Sequence, residues 1–253
     1  MAAQIRRKHF IALGLAVLAL VLGAGLWLGQ SKGSGGSQRI GLFTTLPILW
    51  NESADVADLL KQDQEAPHWA RTELTRRGKL VPLDTLAGPK GSAPLDEVDL
   101  LVMAQSRPLS PEENVALDDW VKRGGKLLLL ADPALTQESA FSIGDPRRPQ
   151  AVVLLSPILR RWGLEEVFDE DQPYGERVIE VMGVGVPTNL AGRFRTQGQG
   201  NCKLWGDGLA VTCALGKGRL VALADAAVLE RDDPDGARQA AFSALLDSAA
   251  VGR

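Results

Sequence analysis

Cysteine, histidine and excess positive charge are what this sequence has least of. Two cysteines and two histidines in 253 residues cannot assemble a multi-cysteine zinc module or a histidine-rich centre, so neither a metal nor a cofactor is expected. Removing Arg6, Arg7 and Lys8 from the 28 basic residues leaves 25 against 31 acids from residue 31 onward, a formal −6. A body that acidic is a poor polyanion binder, which excludes nucleic acid as an expected partner. Also missing is any Gly-x-Ser-x-Gly or Gly-x-Cys-x-Gly elbow, the strand-to-helix turn that exposes a nucleophile. Past the amino-terminal segment the sole histidine is His68, in Pro-His-Trp at a helix start, so a catalytic triad has little to draw on. Gly216-Lys-Gly218 is no phosphate loop, because it precedes a strand and lacks the Lys-Ser/Thr ending.

No charge interrupts Phe10 to Gly29, twenty residues that as a helix rising ~1.5 Å per residue would just span a hydrocarbon core of about 30 Å. Arg6, Arg7 and Lys8 precede this run and no acid occurs before Glu52, so residues 1–9 should stay cytoplasmic while the body is carried across. The expectation is a single-pass inner-membrane protein with a periplasmic body. Cleavage near Gly23-Ala-Gly25 would instead release it as a secreted protein; the continuing Leu26, Trp27 and Leu28 argue for retention. No cysteine lies near the run, which excludes a lipid-anchored form. Residues 30–38, rich in Gly and Ser, read as a tether, leaving 39–253 as the folded domain. The 45% hydrophobic and 23% charged composition of the whole chain suits a globular protein.

Within that body short apolar runs alternate with amphipathic segments. Arg39–Thr44 reads as a strand. Ser53 caps a predicted helix bearing Val56, Leu59 and Leu60, and Pro67 opens another that faces Trp69 and Leu74 inward and stops at Arg76-Arg77-Gly78. Pro82 consigns Lys79–Leu83 to a sheet edge. The clearest unit is Val98–Ala104, then Ser110-Pro-Glu-Glu113 as a capping box, then Leu117, Trp120 and Val121 as a buried stripe ending at Gly124 or Gly125, then Lys126–Ala131. Strand, helix, strand in that span predicts a parallel crossover.

Residues 136–150 read as a polar loop, and Ser156-Pro-Ile as a second serine-capped helix. Glu165-Glu166 and Asp169-Glu-Asp171 read as a solvated acidic loop, and Val178–Val186 and Leu190–Phe194 as strands. Asp207-Gly208 predicts a two-residue hairpin turn in which positions summing to 415 face each other, and Cys202 and Cys213 are such a pair. A disulfide is natural there, at a position that this register makes hydrogen-bonded; two free thiols are the alternative. Arg219–Ala224 reads as a buried strand, and a last helix from about Pro234 to Ala249 faces Ala241, Leu245 and Ala249 one way. The fold class is α/β: a mostly parallel, flavodoxin-like sheet flanked by helices, with a carboxy-terminal hairpin and one preceding transmembrane helix.

An open parallel sheet binds ligands beyond the carboxyl ends of its strands. Thr44, Thr45, Gln105, Ser106, Asp132 and Asp225 would emerge at that rim and are the candidate ligand residues; the competing reading of Asp132 and Asp225 is as turn caps. No catalytic residue is assigned.

Three stretches, Leu109-Ser-Pro-Glu-Glu113, Leu117-Asp-Asp-Trp-Val-Lys-Arg-Gly-Gly-Lys-Leu-Leu-Leu-Leu-Ala-Asp-Pro133 and Gly216-Lys-Gly-Arg-Leu-Val-Ala-Leu-Ala-Asp225, resemble the auxiliary proteins of ABC transport systems of the gliding-motility GldG type. The resemblance implies a fold similar to class I glutamine amidotransferases, membrane anchoring, an extracytoplasmic body, permease or ATPase subunits as partners, and no catalysis. This chain is shorter and shows one amino-terminal span, which leaves a stand-alone role open. The function expected is therefore a non-enzymatic accessory domain of an ABC-type transporter. The alternatives are a small-ligand receptor, or a hydrolase using the acidic rim or His68.

Overall fold

A computed structural model describes residues 38–251 apart from 51, 53–65, 90–91, 199–200 and 234. The anticipated anchor, most of its tether, the helix bearing Val56 and the Pro234 helix start lie outside the described residues. Among the described residues no helix is long and apolar enough to cross a membrane.

Eleven strands are described: β1 (Arg39–Thr44), β2 (Lys79–Pro82), β3 (Leu100–Ala104), β4 (Lys126–Leu130), β5 (Leu164–Val167), β6 (Arg177–Val181), β7 (Val184–Thr188), β8 (Arg193–Thr196), β9 (Asn201–Trp205), β10 (Ala210–Leu215) and β11 (Gly218–Leu223). Four α-helices accompany them: α1 (Trp69–Arg77), α2 (Pro111–Arg123), α3 (Ser156–Arg161) and α4 (Ala237–Ala250). Seven strands form one sheet in the order β2-β1-β3-β4-β11-β10-β9. It is parallel from β2 through β11 and antiparallel at β10 and β9. The mixed α/β architecture with a mostly parallel sheet is as expected, and β2, which carries Pro82, is an edge strand.

Period-two alternation sorts the central strands between two cores, because successive side chains of a strand face opposite ways. Ile40, Leu42, Leu100, Val102, Leu128 and Leu130 pack with Leu74 of α1 and with Ala241, Phe242, Leu245 and Ala249 of α4. Phe43, Leu101, Met103, Leu127 and Leu129 pack on the other face with Leu117, Trp120 and Val121 of α2, with Ile158 and Leu159 of α3 and with Trp162, which follows it. Continuous apolar runs are therefore what strands covered on both faces require.

The crossover from β3 through α2 to its parallel neighbour β4 is built as read. Ser110 Oγ accepts from the Glu113 N–H, and the Glu113 carboxylate accepts from the Ser110 N–H, at 3.2 and 2.9 Å. Gly124 ends the helix at φ +129°, where a side chain would be strained.

Four readings need correction. Leu155, not Ser156, occupies the cap of α3 and makes no side-chain cap hydrogen bond, so the serine lies within the first turn. The last helix begins at Ala237, behind Gly236 at φ +74°. Glu165 and Glu166 lie in β5 and not in a loop, because β8 pairs with the segment antiparallel.

The β9–β10 turn is wider than two residues. Gly206, Asp207 and Gly208 are all left-handed, the Gly208 N–H donates to the Trp205 carbonyl, and the strands end at Trp205 and Ala210. The register still pairs Cys202 with Cys213, and they form the disulfide. Their Cα atoms stand 4.1 Å apart, the spacing of a non-hydrogen-bonded antiparallel pair, where the narrower turn predicted a hydrogen-bonded one.

Candidate functional site

Parallel strands deliver their carboxyl ends to one edge of a sheet, and here β1, β3, β4 and β11 bring all six anticipated rim residues to the same edge. Five of their side chains, all but that of Ser106, hold that edge together. Thr44 Oγ1 donates to the Ala104 carbonyl at 2.6 Å and accepts from the Leu46 N–H. Thr45 Oγ1 donates to the Gln105 carbonyl and accepts from the Gln150 N–H. Gln105 accepts the Asp132 N–H on Oε1 at 3.0 Å and donates Nε2 to the carbonyls of Asp132 and Gln150. Ser106 is fully buried, and its Oγ has no partner among the described residues.

The two aspartates act as turn caps. Asp132 accepts from the N–H of Ala134 at 2.8 Å and of Ala226 at 3.1 Å, which joins the end of β4 to that of β11. Asp225 accepts from the N–H of Ala227 at 2.6 Å and of Asn189 at 2.9 Å. Both carboxylates are 0% exposed.

Gln105 adopts φ +43°, a conformation uncommon outside glycine. Strained backbone at the end of a strand is where an elbow presents its nucleophile, but here the residue is an amide with both polar atoms engaged in the rim. His68 is engaged in the fold. Its Nδ1 accepts from the Ala70 N–H at 3.1 Å as the cap of α1, and burial, followed by the nearby charge of Arg231, lowers its pKa to about 4.

Sequence reasoning missed Glu166. It shares a face of β5 with Leu164, which is completely buried, so the two-residue period of Leu164-Glu-Glu-Val was the available signal. Its Oε1 is buried without a hydrogen-bond partner among the described residues. Burial raises the Glu166 pKa to about 8, with the Asp132 charge adding to it. Asp132 is itself pushed up to about 6, by burial first and then by Glu230, despite its two backbone donors. Asp225 is raised by burial and by Asp132. Burial is the first cause of all three shifts, and repulsion from Asp132 adds to those of Glu166 and Asp225. Among the described residues no group of three or more His, Cys, Asp or Glu side chains is arranged to hold a metal ion.

A crevice of about 440 Å³ is lined by Pro47, Glu52, Thr136, Tyr174, Asn189 and Glu230 among others. None of the six anticipated residues lines it. The link is indirect: Asn189 holds Asp225 through its backbone, and Glu230, whose charge acts on Asp132, accepts from Arg238 at 2.8 Å. The crevice is lined from the loops that follow β1, β4 and β11, with Tyr174 before β6 and Asn189 after β7.

No curated protein matches the chain. Among solved structures it is similar to a GH42 β-galactosidase from G. stearothermophilus, with 12% identity and a TM-score of 0.50 over 84% of this chain and 30% of that one. An exo-β-1,4-mannosidase from Opitutaceae bacterium strain TAV5 is 13% identical, with a TM-score of 0.49 over 86% of this chain and 36% of that one. A ThuA-like protein from Bacteroides uniformis is 10% identical, with a TM-score of 0.47 over 88% and 95%. The chain spans about a third of the two glycosidases' length, and likeness at these identities concerns fold alone. The sequence of residues 39–168, just over half of the chain, matches the family described as an ABC-type uncharacterized transport system, and the chain belongs to that family of transporter auxiliary components.

Proposed function

We propose that this protein is a non-enzymatic accessory domain that works with an ABC-type permease, held at the periplasmic face of the inner membrane by Phe10–Gly29. Family membership over residues 39–168 supports the transporter association. The non-enzymatic part is carried by one observation: the strained strand-end position is a glutamine whose amide is wholly engaged, beside aspartates already capped by backbone N–H groups. A tether of the 30–38 kind keeps such a domain at high effective concentration near partners in the bilayer, so weak contacts suffice.

Purification of the intact protein in mild detergent tests the association. Co-recovery of a permease or ATPase subunit is expected; recovery without either, under conditions that preserve such complexes, counts against it. A reporter fused at the carboxy terminus should register outside the cytosol, and a cytosolic signal refutes the placement. A substrate panel repeated on Asp132→Asn and His68→Ala addresses catalysis: turnover abolished by either change overturns the non-enzymatic assignment. The crevice of about 440 Å³ favours a second reading as a small-ligand receptor, for which ligand-dependent melting is the readout.

A further inference from the structure

A second cleft, of about 450 Å³, opens where the two small sheets, β5-β8 and β6-β7, meet the β9–β10 turn. Arg193 and Arg195 stand on one face of β8, while Phe194 between them points into the core. Arg177 enters from β6, and Phe168, Ile179 and Leu209 supply apolar wall. Three guanidinium groups lining one cleft run against the charge of a body whose formal balance is −6 from residue 31 onward.

Their local commitments differ. Arg193 pairs with Asp207 at 2.9 Å. Arg177 is held by Gln172 Oε1 at 3.0 Å, and Gln172 is pinned in turn by donating to the carbonyls of Asp169 and Ala191. Arg195 forms no ion pair among the described residues, although Glu165 stands opposite it in the ladder. Asp169, the other acid of the lining, accepts from the N–H of Asp171 in its own loop.

The hairpin turn sets the width of the cleft. An added side-chain carbon on Gly206 would meet the Glu180 carbonyl of β6 at 3.1 Å, and one on Gly208 would meet the Phe194 carbonyl of β8 at 2.8 Å. Both glycines are left-handed, so the bare turn wedges between the two strands, and the Cys202–Cys213 bridge closes its stem. The volume falls in the range of small-ligand pockets.

We propose that this cleft binds a small organic oxyanion, a carboxylate or phosphate ester carried on an apolar body, with the guanidinium forks of Arg177 and Arg195 on the oxyanion and Phe168, Ile179 and Leu209 against the apolar part. Guanidinium forks match carboxylate and phosphate geometry. The site is distinct from the strand-end crevice and stands whether or not a permease is the partner.

Isothermal titration of the full chain in an uncharged detergent tests it, with phenyl phosphate, benzoate and benzyl alcohol as probes. Both anions should bind at millimolar concentration or below and benzyl alcohol should not; the tighter anion identifies the headgroup class. Arg177→Gln and Arg195→Gln should each weaken anion binding at least fivefold with melting temperature unchanged, while Arg160→Gln, on the exposed side of α3, leaves it intact. Gly208→Val keeps every arginine but displaces the turn and should also lose binding. Absence of saturable binding of either anion, or equal affinity in Arg195→Gln and the unaltered protein, overturns the proposal.

Discussion

A carboxyl group in a dry site prefers its proton, and Glu166 shows what this does to a single residue. Its folded pKa, about 8, lies above the unfolded value, so the stability linked to its proton is fully present below about pH 4.5 and is lost as pH rises through 8. Glu166→Gln removes the charge while keeping the shape. It should raise stability at pH 8 by roughly 1–3 kcal/mol, the scale of a buried polar group without a partner, and change little at pH 5. Melting curves at the two pH values decide; an equal gain at both, or a loss at pH 8, contradicts the account. Glu113 is the opposite case. Arg107 grips its carboxylate with two nitrogens at 2.7 and 2.8 Å, while the N–H groups of Ser110 and Leu86 and the Thr85 hydroxyl also donate to it. Those donors, led by Arg107, hold its pKa down at about 2 against the opposing effect of burial. Glu113→Ala leaves several buried donors unpaired and should cost about 3 kcal/mol or more, read as a lower denaturant midpoint.

At the scale of elements, short pieces of chain are joined by a few buried polar links. Asp118, 0% exposed, accepts from Lys122 of its own helix and from Arg161 and Trp162 at the end of α3. It thereby fixes a six-residue helix that is far too short to persist alone. The hairpin at the sheet edge relies on its disulfide, whose cysteines are 11 positions apart. Closing a loop of that size is worth roughly 2–3 kcal/mol. Dithiothreitol should lower the unfolding midpoint accordingly, and Cys202→Ser should match the reduced protein. If reduction leaves the midpoint unmoved, β9 and β10 are held by packing alone.

For the whole molecule the two kinds of carboxyl act at different pH. Asp132, at about 6, Asp225 and Glu166 are raised by burial, so what they contribute is lost as pH climbs through their folded values. Glu113 and Asp145, both at about 2, contribute stability that is present above the unfolded carboxylate range and lost as pH falls toward 2. Melting temperature should therefore peak at mildly acidic pH, decline toward pH 8 and drop steeply below pH 4; a flat profile from pH 5 to 8 would show that the buried cluster is better solvated than its packing implies. Most of the architecture was legible locally. Apolar runs marked β3, β4 and β11, the Ser110–Glu113 box opened α2, and the 415 register paired Cys202 with Cys213 even though the turn is wider than read. The positions of Thr44, Gln105, Asp132 and Asp225 at one rim followed from parallel strands, because strand direction alone decides which end a residue occupies. Their engagement by backbone partners did not follow. Whether a carboxylate meets a backbone N–H, another carboxylate or solvent depends on which strands become neighbours, and β4 meets β11 across about ninety residues of intervening chain. The sequence by itself therefore determined element types, strand ends and the hairpin pairing, which rest on periodicity and nearest-neighbour chemistry. Only tertiary structure decided that the charge of Asp132 reaches Glu166 and that three arginines share a cleft, because those encounters arise between segments whose local patterns carry no information about each other.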